Sequence, residues 1–273
     1  MHLGRVANGE GKGWSKGRNA ANDPRIAKNA EARRGPRAPY RVRGTSRQFD
    51  RPRPLTWTEE LAYAVGLAAT DGNLSRDRRH LTFDSKDPDL VELFLRCVGR
   101  PIRYGPRKTR TGGIAYRAAF SDVELYRWFL SIGLTPAKSL TLGGIDVPDA
   151  FLLPVVRGLL DGDGSVVNFV HAPTKRLYPN YTYERLAAQF NSASRAHVEW
   201  LRTRLEPALR TRGYVEVTPP KPPRHEFNVL RYGKYASIEL FKLLYPNETA
   251  PRLLRKWEIW ERYRLRNGAD GGT

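Results

Sequence analysis

Residues 64–72, AVGLAATDG, and residues 156–164, VRGLLDGDG, repeat one pattern: an apolar run with a glycine inside it ends in Asp-Gly. Apolar residues in and around both segments recur at the three- to four-residue spacing of a helix face. We therefore predict two helices, the first ending at Asp71-Gly72 and the second at Asp163-Gly164. Glycine commonly closes a helix in the left-handed conformation, which we expect of Gly72 and Gly164.

Small residues recur within both segments. Ala62, Gly66 and Ala69 lie three or four positions apart, as do Gly158 and Gly162. Side chains this small let two helices approach until their backbones touch. The spacing therefore predicts that the two helices pack against each other.

The two acidic residues are in an unfavourable position for a helix. Asp71 and Asp163 stand at C-terminal ends, where the helix macrodipole is negative, a cost of roughly 0.3–1 kcal/mol each. Paired helices would also bring the two carboxylates together, where they repel. A divalent cation relieves both penalties, and Mg²⁺ prefers oxygen ligands. The alternative is two ordinary Asp-Gly helix ends, but the second copy of the pattern favours a shared metal site.

The two segments resemble the two motifs of the single-chain LAGLIDADG homing endonuclease family. The second copy is close to the family consensus, whereas the first has Ala68-Ala69 where the family name has Ile-Asp. The resemblance covers roughly residues 55–265. It implies that Asp71 and Asp163 are the metal-binding catalytic residues, that the ion is Mg²⁺ or Mn²⁺, and that the protein takes part in intron homing as a DNA endonuclease.

The family also places a polar residue and a basic residue on strands beside the metal ions. Gln189 and Arg231 match these catalytic positions in the second half of the chain. Their counterparts in the first half are Thr82 and Ala119, and Arg117 is a possible substitute for the missing basic residue. The resemblance therefore implies a supporting shell that is complete in one half.

An internal repeat extends beyond the motifs. In each half, the pattern of apolar residues predicts the order αββαββα, which is an α+β fold. We expect a basic N-terminal arm at 1–54, the first repeat at 55–134, a linker at 135–146, the second repeat at 147–266 and a tail at 267–273. The resemblance implies a saddle of two antiparallel sheets, with helices on one face and the motif helices at the interface.

The uncovered face of such sheets carries polar and basic residues, which suits a duplex groove. Arg, Asn and Gln read base edges there with paired hydrogen bonds. The segment 102–105 is predicted to be a strand and 106–112 a flexible basic loop, so Arg107 and Lys108 are not assigned to base reading. The predicted DNA-binding residues are Arg76, Arg78, His80, Thr82, Arg103, Arg117, Arg185, Gln189, Asn228 and Arg231.

The charge of the chain indicates a polyanionic partner. The 273 residues carry a net charge of +19, which favours nucleic acid or an anionic membrane. Without an apolar run of 18 residues or an apolar N-terminal signal, we expect a protein that is not secreted, in a prokaryotic or phage-infected cytoplasm or in an organelle. One cysteine, Cys97, and histidines without ligand spacing argue against zinc.

The first 54 residues are the most basic part of the chain. They hold 14 lysine and arginine residues against 4 acidic residues. This composition fits either a solvated tail or a tethered arm that lies along phosphates or in the minor groove.

Two functions remain open from the sequence. The first is a monomeric endonuclease that cuts double-stranded DNA at a long, nearly palindromic site with divalent metal ions. The second is a relative that does not cleave, either an intron maturase that binds RNA or a DNA-binding regulator. Loss of a motif aspartate would favour the second function, and both aspartates are present.

Overall fold

The computed structural model describes residues 55–109, 111–171, 183–222 and 225–268, together with Pro24. The predicted arm at 1–54, apart from Pro24, and residues 269–273 of the predicted tail lie outside the described residues. Within the described ranges, no helix is long and apolar enough to cross a membrane.

The first half of the fold has the predicted order αββαββα. Its elements are α1 (Glu59–Thr70), β1 (Gly72–Leu74), β2 (His80–Ser85), α2 (Pro88–Cys97), β3 (Gly105–Lys108), β4 (Ile114–Ser121) and α3 (Val123–Ser131). Thr58 caps α1, since its hydroxyl accepts a hydrogen bond from the Leu61 N–H at 3.1 Å.

The second half repeats this order and adds a helix. Its elements are α4 (Leu152–Asp161), β5 (Ser165–His171), β6 (Tyr183–Ser192), α5 (Arg195–Leu209), β7 (Tyr214–Thr218), β8 (Phe227–Tyr232), α6 (Lys234–Leu244) and α7 (Leu254–Asn267). Each half forms one antiparallel sheet, in the orders β1-β2-β4-β3 and β5-β6-β8-β7. The predicted α+β fold with two repeats is confirmed.

Helices cover one face of each sheet, because alternate strand residues are apolar. In β2, Leu81 and Phe83 are buried, and the Phe83 ring stacks on Phe94 of α2 with centroids 4.3 Å apart. The residues that alternate with them, His80 and Thr82, lie on the opposite face and are partly exposed. We call this opposite face the open face of each sheet.

Gly72 and Gly164 were predicted to adopt the left-handed conformation that ends a helix, and this prediction is wrong. Neither Gly72 nor Gly164 has a positive φ. A Cβ on Gly72 would lie 2.6 Å from the carbonyl oxygen of Ala68, and one on Gly164 would lie 2.7 Å from that of Leu160. Both positions need glycine because the chain turns back tightly against its own helix.

The strand predicted at 102–105 is displaced along the sequence. The observed strand β3 begins at Gly105, so Arg103 precedes it on an exposed loop. Arg107 and Lys108, which were predicted to be in a loop, lie in the strand instead. Pro106 can lie inside β3 because β3 is an edge strand, where the sheet needs no N–H from it.

Candidate active site

The two motif helices touch backbone to backbone, as predicted. A Cβ on Gly66 would lie 2.1 Å from the carbonyl oxygen of Val155, and one on Gly158 would lie 2.2 Å from that of Tyr63. Real Cβ atoms cannot come so close, so only glycine permits this packing. The contact brings the C-terminal ends of α1 and α4 to the same region of the molecule.

Asp71 and Asp163 lie at these two helix ends. Asp71 is the C-cap of α1, and its N–H donates to the Leu67 carbonyl at 3.0 Å. Burial raises the pKa of Asp71 to about 7, and the negative charge of Asp163 adds to the rise. Burial also raises the pKa of Asp163. A Cβ on Gly162, next to Asp163, would lie 2.0 Å from Oγ1 of Thr70, next to Asp71, so the two acids approach each other, and both remain accessible to solvent.

Two buried lysines lie beside these acids, at the ends of the motif helices. Lys138 Nζ donates to the Gly72 carbonyl, immediately after Asp71. The three N–H groups of Lys256 Nζ are shared among four carbonyls, those of Leu160 (2.8 Å), Asp161 (2.8 Å), Gly162 (3.1 Å) and Gly164 (2.7 Å). Each ammonium therefore neutralises the negative end of one motif helix.

The lysines and the acids also interact electrostatically. Burial lowers the pKa of Lys138 and of Lys256 to about 8, while the charges of Asp71 and Asp163 oppose this change. The site thus pairs two carboxylates with two ammonium groups. Neither lysine was predicted from the sequence, although each follows the third helix of its half, and that shared position could have revealed them.

Asp161 fixes the position of Lys256. Its Oδ2 accepts hydrogen bonds from the Leu253 N–H and from the Tyr63 hydroxyl, both at 2.8 Å. The first bond holds the start of α7, which carries Lys256, and the second holds α1. Burial raises the pKa of Asp161 to about 6. The first motif has Ala69 at the matching position, so this connection exists in one half.

Gln189 and Arg231 are cross-strand neighbours on the open face of the second sheet. Arg231 Nη2 lies 2.7 Å from Glu216 Oε2. The matching pair in the first sheet is Thr82 and Ala119, in the same register relation. The alignment of the two halves at these positions therefore agrees with the observed strand pairing.

A cavity of about 240 Å³ lies beside Asp163, between the two halves of the site. Lys138, Asn191 and Ser192 line it together with Asp163, whereas Gln189 is not among its lining residues. Asn191 also donates its side-chain amide to the Asp163 carbonyl at 2.7 Å. Asn191 and Ser192 are thus two polar residues near Asp163 that were not predicted.

Most of the predicted DNA-binding residues are accessible. On the open faces lie His80, Thr82, Arg117, Arg185, Gln189 and Arg231. Arg76 and Arg78 are exposed in the turn between β1 and β2, and Arg103 is exposed before β3. The structure therefore groups six of these side chains on two sheet faces and places three in adjacent loops.

Asn228 is the exception, and its predicted exposure is wrong. It is fully buried, and its amide donates to Glu226 Oε1 at 3.1 Å. Asn228 shares a face of β8 with Leu230 and Tyr232, which pack towards the helices. The predicted strand pattern was therefore shifted by one residue at this end of β8, which exchanges the two faces.

Comparison with known proteins gives likeness of fold at low identity. No family model and no curated protein matches the chain. Among solved structures, it is similar to the I-LtrWI LAGLIDADG homing endonuclease bound to target DNA (11% identity, 76% of this chain and 89% of that one, TM-score 0.46). It is also similar to the homing endonuclease I-DmoI in complex with DNA and Ca (15%, 74% and 97%, 0.47). A third similar structure is full-length DUF199/WhiA from Thermatoga maritima (11%, 80% and 70%, 0.45).

Proposed function

We propose that this protein is a metal-dependent endonuclease of the LAGLIDADG type, which hydrolyses both strands of DNA at a long, pseudo-palindromic site. The observation that carries the proposal is the meeting of Asp71 and Asp163 at the ends of two helices in backbone contact. Two carboxylates held together against their own repulsion need a compensating charge.

The residues present fit a divalent ion. Partial desolvation raises the pKa of both carboxylates even though the charges of Lys138 and Lys256 oppose the rise, so an added cation would stabilise their charged forms. Among the described residues, no group of three or more His, Cys, Asp or Glu side chains forms a metal cage. Mg²⁺ is commonly bound by one or two carboxylates, with water and substrate phosphates completing its shell. A bound Mg²⁺ or Mn²⁺ would activate water and stabilise phosphate oxygens.

The chain's own groups have distinct roles in this proposal. Asp71 and Asp163 would hold the ions, and the buried Lys138 and Lys256 offset the negative charge of the two acids and of the helix ends. Gln189 orients solvent, and Arg231 offsets charge from the open face of the second sheet. The open faces bind the duplex, helped by a net charge of +19 over the whole chain.

A second candidate function is binding without cleavage, as a DNA-binding regulator or an RNA maturase. Ala119 favours it, because it stands opposite Thr82 at the place where the second half has Arg231. Without a basic side chain at this position, the first half has weaker support for catalysis than the second half.

A cleavage-site selection distinguishes the two functions. The full-length protein is incubated with a randomised duplex library in Mg²⁺ or Mn²⁺, and newly formed ends are captured and sequenced. Bound duplexes are sequenced in parallel, in EDTA. The proposal predicts one enriched site cut on both strands. Enrichment among bound duplexes with no enriched ends in either metal would establish the second function instead.

A further inference from the structure

Three charged residues form a cluster on the open face of the first sheet. Asp84 of β2 accepts two hydrogen bonds from Arg117 of β4, from Nε at 2.8 Å and from Nη2 at 2.6 Å. Arg107 of β3 lies against the same carboxylate, with Nε 3.3 Å from Oδ1. About 29% of the Asp84 side chain and about 40% of each arginine side chain remain accessible.

The carboxylate is the unexpected member of this cluster. A surface that binds DNA through phosphates gains from arginines, whereas a carboxylate on it is repelled by the same phosphates. Asp84 caps no helix and is not buried, so the fold does not require its charge. In the major groove a carboxylate can accept a hydrogen bond from the N4 amino group of cytosine or the N6 amino group of adenine, and cytosine is its usual partner because adenine also presents the N7 acceptor, which repels a carboxylate.

The arginines of the cluster can bind the guanine that pairs with this cytosine. Asp84 occupies Nε and one hydrogen of Nη2 of Arg117, which fixes the plane of the guanidinium and leaves Nη1 free of this ion pair. Guanine presents O6 and N7 as acceptors in the major groove, and arginine is their commonest partner. The cluster therefore offers the Asp84 carboxylate as an acceptor for cytosine and the arginine N–H groups as donors for guanine, which together match a C·G pair.

The second sheet lacks this arrangement at the equivalent positions. In the first sheet Asp84 pairs with Arg117, and in the second sheet Asn191 pairs with Val229. The neutral amide of Asn191 and the apolar side chain of Val229 cannot offer a charged acceptor beside guanidinium donors. The second sheet has its own carboxylate–arginine pair, Glu216 with Arg231, but at a different register position, so a preference created at the Asp84 position belongs to one half of the bound site.

We propose that Asp84, with Arg117 and Arg107, specifies a C·G base pair in the half-site bound by the first sheet. This inference rests on the proposed DNA-binding function. The Asp84 N–H donates to the Asp71 carbonyl at 3.4 Å, so the base pair lies near the centre of the site. The cluster makes the target asymmetric even though the fold is nearly symmetric.

The test is a binding selection, which does not depend on cleavage. Full-length wild type, Asp84→Asn and Arg117→Ala are each used to select duplexes from a randomised library in EDTA. Glu239→Gln is the matched control, because Glu239 is an exposed carboxylate on α6 that pairs with Lys242 away from the open face. Circular dichroism verifies that each variant is folded.

The expected result is a C·G preference at one central position that Asp84→Asn lowers about tenfold or more. Arg117→Ala should weaken the same position, and Glu239→Gln should leave every position unchanged. An Asp84→Asn variant that binds all duplexes more tightly but keeps the wild-type preferences would overturn the inference alone. Failure of the wild type to enrich any sequence would overturn the proposed function and the inference with it.

Discussion

Lys256 and Lys138 are buried to the same extent but have different numbers of partners. Lys256 donates to four main-chain carbonyls around the end of α4, whereas Lys138 donates to one carbonyl at the end of α1. Removing an ammonium leaves these buried acceptors without a partner, and each such acceptor is costly. The two lysines should therefore differ in their importance for stability.

We predict that Lys256→Met lowers the free energy of unfolding by more than about 3 kcal/mol, and Lys138→Met by about 1–2 kcal/mol. Urea unfolding followed by circular dichroism measures both values. The pair is its own control, because the two substitutions are chemically identical. Equal losses would show that the number of carbonyl partners does not determine the stability of this site.

At the scale of elements, the contact between α1 and α4 depends on Gly66. A Cβ at this position would lie 2.1 Å from the Val155 carbonyl, so Gly66→Ala must push the helices apart. Overpacking of this kind typically costs about 1–3 kcal/mol or more, which exceeds the gain of about 1 kcal/mol from alanine's helix propensity. We predict a net loss of stability in urea unfolding, together with a loss of DNA cleavage.

Gly143→Ala is the matched control for this substitution. A Cβ on Gly143 would meet no heavy atom within 4 Å, and its φ is outside the left-handed region. Its stability should stay within about 0.5 kcal/mol of wild type. A Gly66→Ala protein as stable as the Gly143→Ala protein would contradict the close helix contact.

The linker between the halves is held to α5 by His197. Its Nδ1 lies 2.9 Å from the Gly143 carbonyl, its ring stacks on Trp200, and the residue is buried. Burial, helped by the nearby charge of Lys138, lowers the pKa of His197 to about 4, although the hydrogen bond to the Gly143 carbonyl opposes the change. The unfolded chain binds a proton near pH 6.5 and the folded chain does not, so stability is lost as the pH falls from 6.5 towards 4.

We predict that wild type loses about 2–3 kcal/mol more unfolding free energy between pH 7 and pH 4.5 than His197→Gln does. Both proteins keep all other titrating groups, so the difference isolates the histidine. Urea unfolding at the two pH values measures it. Parallel stability curves for the two proteins would show that His197 takes up its proton equally in the folded and unfolded states.

The element order was predictable, whereas two strand positions were not. Helix periodicity and the small residues of the motifs determine α1, α4 and their contact, because a helix face is repeated over several turns. The short strands β3 and β8 offer few residues, and a shift of one position exchanges the faces. Asn228 was therefore placed on the wrong face, and Arg107 was left out of the open face to which it belongs.

The site was predictable only where a residue lies within the repeated motif. Asp71 and Asp163 follow from that pattern. Lys138 and Lys256 come from a linker and a final helix, and only the folded chain brings them to the motif ends. Their position depends on long-range packing, including the Asp161 bond that holds the start of α7.

At the scale of the whole molecule, near symmetry and local asymmetry coexist. Two similar halves meet at the motif helices, and each contributes one aspartate and one lysine. The open faces differ, with Thr82 and Ala119 opposite Gln189 and Arg231, and with the Asp84 cluster in one half only. Under the proposed function, the molecule would act on both strands from one composite centre and read two unequal half-sites.

The most direct test of the composite centre is to neutralise each motif aspartate separately. Asp71→Asn and Asp163→Asn keep the size of the side chain and remove the charge that would hold the ion. Asp149→Asn is the control, because the Asp149 side chain is 98% exposed and pairs with Arg204 of α5. Cleavage of the selected duplex in Mg²⁺ and binding in EDTA are measured for all four proteins.

We predict that each motif variant binds the duplex like wild type but produces no double-strand break, while Asp149→Asn binds and cuts normally. The reason is that the two carboxylates form one site, so the loss of either one removes a metal ligand. Cleavage of both strands at near the wild-type rate by Asp71→Asn or by Asp163→Asn would contradict the account.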